Sequence, residues 1–183
     1  NRNPAEKFAQ LRASEHPQAQ FLWAIFRDIF HYAAFHLADI ADNARDLDFA
    51  MRWGFGWSQG PFESWQAAGW REIAEAVKAD IDADRAMSPA PLPSWVFGSV
   101  ADAGVHGPKG SYSASTDTYR PRSALPVYQR QIFPERVLGE KAASGQTIWE
   151  NDGVRLWTLP QVDAGIAIVS VKSRNHTLGR EVI

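Results

Sequence analysis

A chain of 183 residues with 45% apolar and 22% charged side chains has an ordinary globular makeup, long enough for one domain and part of another. A net charge of −2 without a basic cluster argues against nucleic acid or an anionic membrane surface as a partner. The lack of cysteine excludes disulfides, thiolate zinc sites and thiol catalysis, which fits a cytoplasmic protein, and no apolar run reaches the ~18 residues of a membrane span.

Residues 1–93 read as a helical domain. From Gln20 to Ile40 the apolar positions Leu22, Phe26, Ile29, Ala33, Leu37 and Ile40 recur at helical spacing, and Pro17 marks the start of that helix. Flanking aromatics, Phe21, Trp23, Phe30, Tyr32 and Phe35, widen the stripe and predict a helix embraced on several sides. If Phe26 is buried, its replacement by alanine should cost ~3–5 kcal/mol. Capping side chains at Asp42 to Asp46 precede a short helix over about Leu47–Arg52, which the paired glycines Gly54 and Gly56 end. Gly60-Pro61-Phe62-Glu63 opens a third helix, with proline at its first position and an acid near the positive end of its dipole. Gly69 stops it, and a fourth helix carries Ile73, Val77 and Ile81 on one face until Ser88-Pro89-Ala90-Pro91-Leu92-Pro93.

Residues 94–153 lack periodicity and read as an extended linker that packs through Trp95, Phe97, Tyr112, Tyr119 and Tyr128. From 154 the pattern is β-like: Val154–Leu159 alternates, Ile166–Val171 is β-branched, and Pro160–Gly165 connects them as a hairpin. Two strands alone are marginal in water, so partners elsewhere are expected. Eight tryptophans suggest wide helix contacts or a docking surface for another domain. The N-terminus lacks a methionine and the C-terminus follows a strand-like run directly, so both ends read as cut.

No chemistry stands out. Gly54 to Gly60 has the spacing G-x-G-x-x-x-G, one residue too long for a dinucleotide loop, and it follows a helix rather than a strand. Gly104 to Ser111 has Lys109 but no Gly-Lys-Ser/Thr junction. His36, Asp39 and Asn43 share one helical face and read as solvated rather than as metal ligands. His31 neighbours Asp28 on the helix, and His16, His106 and His176 stand alone in turn-like sequence. Asp46 and Asp48 face different ways, and no serine occupies a nucleophile elbow. No catalytic, cofactor-binding or metal residue is therefore expected.

Ala38 to Glu63, with Asp46-Leu47-Asp48-Phe49-Ala50-Met51, the glycine corner and Gly60-Pro61-Phe62-Glu63, resembles the C-terminal helical domain of 3-hydroxyacyl-CoA dehydrogenases. Gly153 to Ile183, with Gly165-Ile166-Ala167-Ile168-Val169-Ser170 and Lys172 to Gly179, resembles the opening hairpin of an enoyl-CoA hydratase, or crotonase, domain. Together they resemble a bacterial fusion of the two enzymes of fatty-acid β-oxidation. The resemblance implies a mainly α fold: a dehydrogenase-type helical bundle over 1–93, a long irregular linker over 94–153 and an incomplete crotonase hairpin over 154–183. It implies an NAD-dependent enzyme acting on acyl-CoA, with NAD held by a domain lying outside this chain. The chain alone is then expected to be inactive, packed against the nucleotide-binding and hydratase domains or in a homodimer. Lys172 and Arg174 would be contacts to CoA phosphates. The other reading is a non-catalytic helical adaptor that binds a partner protein through its aromatic surface.

Overall fold

The computed structural model describes residues 3–131, 134–140, 145–173, 179 and 180. The chain divides into two compact units: Asn1–Ala124 with Glu135–Glu140, and Leu125–Pro134 with Lys141–Ile183. The first is mainly helical with a small antiparallel sheet, and the second centres on another.

In the first unit, α1 (Pro4–Ala13) starts at an Asn3 cap whose side chain accepts from the Ala5 amide, with proline at the first helical position. Its Phe8 ring meets Phe26 edge-on, centroids 5.0 Å apart. Helix α2 (Pro17–Ile40) begins at Pro17, where the sequence places it. Its buried face is turned by about one residue from the predicted stripe. Trp23, Arg27, Phe30 and Ala34 go inward beside the predicted Ala33 and Leu37, whereas Leu22 is 46% and Ile40 56% exposed and Phe26 and Ile29 are half-buried against the core. The cause is polar. The Trp23 indole N–H donates to Asp80 Oδ2 at 2.8 Å, and Arg27 Nη1 lies 3.4 Å from the same oxygen, so the inward face carries groups that an apolar count ignores. Phe21, Tyr32 and Phe35 stay exposed, while α1, α3 and α4 pack against the other sides of α2.

Helix α3 (Ala44–Phe55) is longer than predicted. The Asn43 side chain accepts from the Arg45 amide at 3.0 Å, and Gly56 ends the helix in the left-handed region at φ +68°. The third and fourth predicted helices run end to end as α4 (Pro61–Asp82), broken where expected at Gly69, whose non-helical φ of +98° only glycine adopts readily. Across the kink Trp65 stacks on Trp70 with centroids 4.3 Å apart, and the Trp65 indole donates to the Trp70 carbonyl at 2.9 Å. Phe30 stacks on Trp65 from α2. Fully buried apolar side chains such as Phe30, Phe62, Ile73 and Val77 contribute roughly 1.5–3 kcal/mol each.

Residues 94–124, expected as part of an extended linker, fold instead onto this core. A 3-10 turn (Ser94–Phe97) and α5 (Val100–Ala103) bury Val96 and Val100, and the Trp70 indole donates to the Val96 carbonyl. Strands β1 (His106–Gly107), β2 (Gly110–Ser113) and β3 (Thr118–Arg120) form an antiparallel sheet in that order. Strands of two to four residues are too short to show as periodicity, which is why glycine and serine dominate the reading there. Tyr112 is buried from β2, against Trp95.

The second unit holds α6 (Pro126–Gln129) and an antiparallel sheet ordered β4 (Gln146–Glu150), β5 (Val154–Leu159) and β6 (Asp163–Val171). The predicted hairpin is β5–β6, and β4, which the linker reading hid, supplies a third strand. Val154, Trp157 and Leu159 are buried, while Trp149 and Val169 remain exposed.

Candidate functional site

A connected polar group with no exposure is Asp48 of α3. Its Oδ1 accepts from the Phe62 amide and its Oδ2 from the Glu63 amide, both at 2.9 Å. Asp48 thus satisfies two of the orphan N–H groups at the start of α4 and opposes that helix's positive end. The same Oδ2 lies 2.7 Å from His106 Nε2, and His106 Nδ1 lies 2.8 Å from Ser111 Oγ. A carboxylate only accepts, so His106 Nε2 carries the proton; in the neutral ring Nδ1 then accepts from the Ser111 hydroxyl. Gln66 of α4 holds the His106 backbone at both ends, donating to its carbonyl at 3.0 Å and accepting from its amide at 2.9 Å. A Cβ added at Gly60 would overlap Asp48, so glycine is required there for close approach.

Carboxylate, imidazole and hydroxyl are the groups of an acyl-transfer triad, but here each is spent. Ser111 has no exposure and His106 only 1%, so no substrate atom reaches either. The chain Asp48–His106–Ser111 is a clasp that ties α3, α4 and the first sheet together. Around it, Glu63 accepts from the Gly60 amide and the Leu138 amide, both at 2.9 Å. Arg45 reaches Glu140 at 2.7 Å and Arg122 reaches it at 2.5 Å. Burial alone would raise the Glu140 carboxyl, but the Arg122 hydrogen bond and the two guanidinium charges hold it below the usual range.

Two features face outward. A cleft of about 620 Å³ runs between α2 and α3, with Ile40, Leu47 and Met51 on its walls and Asp39, Asp42 and Asp46 beside them. Burial, with the Asp42 charge adding to it against Arg45, pushes the Asp46 carboxyl up. Among the described residues no basic side chain lines the cleft, so its carboxylates disfavour CoA phosphates. The other feature is aromatic: Trp53 is 67% and Phe55 70% exposed at the end of α3, beyond Phe21, Tyr32 and Phe35 on α2.

Over 90 residues the chain is 37% identical to a protein of Bacillus subtilis (strain 168) described as a probable 3-hydroxyacyl-CoA dehydrogenase. The aligned part covers 49% of this chain and 10% of the relative, so the chain spans about a tenth of the length of the curated protein it matches. No family model and no solved structure matches.

The glycine corner of Gly54–Gly60 does not suit a dinucleotide. It runs from α3 into α4, and the amides at the start of α4 that would meet a pyrophosphate already serve Asp48. NAD, the cofactor that such a dehydrogenase implies, therefore does not fit this corner. Of the other candidates, His36 is half-buried, Asp39 is exposed, and Asn43 is buried as the cap of α3. No group of metal-ligating side chains forms among the described residues. Lys172 follows β6, its Nζ donating to Glu150 Oε1 at 2.9 Å and to the Asn151 carbonyl at 2.7 Å. Arg174 and His176 lie outside the described residues. Sequence reasoning read His106 as solitary because its partner Asp48 stands 58 positions away.

Proposed function

We propose that this chain is a helical supporting part of a 3-hydroxyacyl-CoA dehydrogenase, an enzyme that oxidises 3-hydroxyacyl-CoA to 3-ketoacyl-CoA with NAD. The observation that carries the reading is the 37% identity over 90 residues to the probable dehydrogenase. Two features of the molecule support a supporting role. The carboxylate–imidazole–hydroxyl chain is consumed in holding helices together, and the exposed rings of Phe21, Tyr32, Phe35, Trp53 and Phe55 suit packing against a further domain. In this reading the groups that hold NAD and move hydride stand on another domain, and the helical unit walls the acyl-CoA cleft. The second unit is the opening of a crotonase-like domain, where Lys172 and Arg174 contact CoA phosphates. Lys172 would exchange Glu150 for that anion.

The test is acetoacetyl-CoA-dependent NADH oxidation by the purified chain, alongside a titration with NADH. Neither turnover nor NADH binding is expected. Turnover, or tight NADH binding, would place the reacting groups in this chain and overturn the reading.

A further inference from the structure

The cleft between α2 and α3 is a groove with apolar walls. Ile40, the last residue of α2, is 56% exposed on one side, and Leu47 and Met51 of α3 line the other. Its volume of about 620 Å³ falls within the ~300–1,000 Å³ of pockets that enclose a ligand. Methionine suits a wall that receives apolar side chains, because its unbranched chain adapts to their shape. Walls of this kind gain from any apolar group that takes them out of water.

What the groove admits is set by charge. Asp39, Asp42 and Asp46 lie along it, and among the described residues neither Asp39 nor Asp42 pairs with a cation. Asp46 Oδ2 accepts from Asn43 Nδ2 at 2.6 Å, which fixes that carboxylate at the start of α3. Arg45 and Arg120 both act on Asp46, but neither lines the groove, and Arg45 is bonded to Glu140. The end of α2 adds to the field. Its last turn carries no basic side chain, and among the described residues the Asp39 and Ile40 carbonyls accept no backbone hydrogen bond from the residues that follow the helix. Three carboxylates and the negative end of a helix repel the phosphates of CoA, nucleic acid and anionic lipid alike. A bare polyamine would match the charge but leave Ile40, Leu47 and Met51 in water. The occupant that satisfies walls and rim together carries cations on either side of an apolar side chain.

We propose that this groove docks a basic, apolar-anchored segment of a partner protein. A leucine, isoleucine or methionine of the partner enters between Ile40, Leu47 and Met51, and lysines or arginines flanking it meet Asp39, Asp42 and Asp46. The same cations reach the carbonyls at the end of α2, where a helix favours positive charge. The anchor supplies affinity, and the rim rejects acidic segments. The groove needs neither NAD nor acyl-CoA and is independent of the dehydrogenase reading.

The experiment is an NMR titration of the isotopically labelled full chain with a short amidated peptide of alternating lysine and leucine. A glutamate–leucine peptide of the same pattern and spermidine serve as comparisons. Amide shifts are expected to concentrate at residues 38–51, with only the lysine–leucine peptide saturating them. Asp39→Asn combined with Asp42→Asn, both at exposed side chains, should weaken binding about three- to tenfold and flatten its dependence on salt. Ile40→Ser, also exposed, should weaken it about tenfold and leave the salt dependence as it is. Affinity unchanged by either variant, shifts centred elsewhere on the chain, or no binding at all would overturn the proposal. Equal binding of spermidine would overturn it too, since the groove would then recognise charge alone. Self-association of the free chain through residues 38–51 would replace the basic partner with a second copy and likewise refute it.

Discussion

Replacing Asp48 tests whether the buried clasp holds the helical unit together. Its carboxylate accepts three hydrogen bonds, from the Phe62 and Glu63 amides and from His106 Nε2, with no exposure to water. In Asp48→Asn the remaining oxygen can keep the Phe62 amide, while the new NH₂ faces the Glu63 amide, donor against donor. His106 can answer by moving its proton to Nδ1, which then donates to Ser111. One charge-assisted bond is lost outright and the others weaken, for a cost of about 2–3 kcal/mol. Asp48→Ala removes all three hydrogen bonds and leaves the α4 amides buried and unpaired, for about 4–6 kcal/mol at ~1–3 per orphaned group. That is a large share of the ~5–15 kcal/mol that holds a typical domain together. Urea unfolding followed by tryptophan fluorescence reads both variants, provided the slope with urea matches wild type. A loss below about 1 kcal/mol for Asp48→Ala, on the same scale, would refute the reasoning.

Phe30→Ala should cost about 3–5 kcal/mol and Phe26→Ala clearly less, about 1–2, because Phe30 is fully buried and Phe26 only half; equal losses in urea unfolding would return α2 to the face expected from its apolar spacing. Gly60→Ala should destabilise as severely as Asp48→Ala, since the added methyl meets Asp48 backbone and side chain alike; circular dichroism melts would show it. Asp80 and Glu140 both lie below the ordinary carboxyl value, because hydrogen bonds and charges from Arg85, Trp23 and Arg27, and from Arg122 and Arg45, outweigh burial. Their contribution to stability is complete above the unfolded value of ~4 and is lost as pH falls through that value towards the folded one; Arg122→Ala should therefore flatten the acid limb of a plot of stability against pH. Phe55→Ser, on an exposed ring, should leave stability within about 0.5 kcal/mol of wild type.

Local signals in the sequence located the elements well. Pro17 starts α2, Gly56 closes α3 in the left-handed region, Gly60-Pro61 starts α4, and the β5–β6 hairpin stands where alternation placed it. Each rests on a residue acting on its own neighbours. What escaped depends on distant partners. The inward face of α2 is set by Asp80 drawing in Trp23 and Arg27, and His106 gains meaning only from Asp48 and Ser111. The stacking and hydrogen bond of Trp65 and Trp70 across the break at Gly69 have no local signal, and the strands β1 to β3 are too short to carry a pattern. The candidate site was legible as a motif, Asp48 with Gly60-Pro61-Phe62-Glu63, but not as a buried network.

The most direct measurement is acetoacetyl-CoA-dependent NADH oxidation by the natural gene product that contains this chain, before and after removal of the segment corresponding to residues 1–124. The account predicts activity in the first case and its loss in the second, with the purified chain alone inactive. A gene product inert towards acetoacetyl-CoA and NADH, or one whose activity survives the deletion unchanged, would contradict it and favour the adaptor reading.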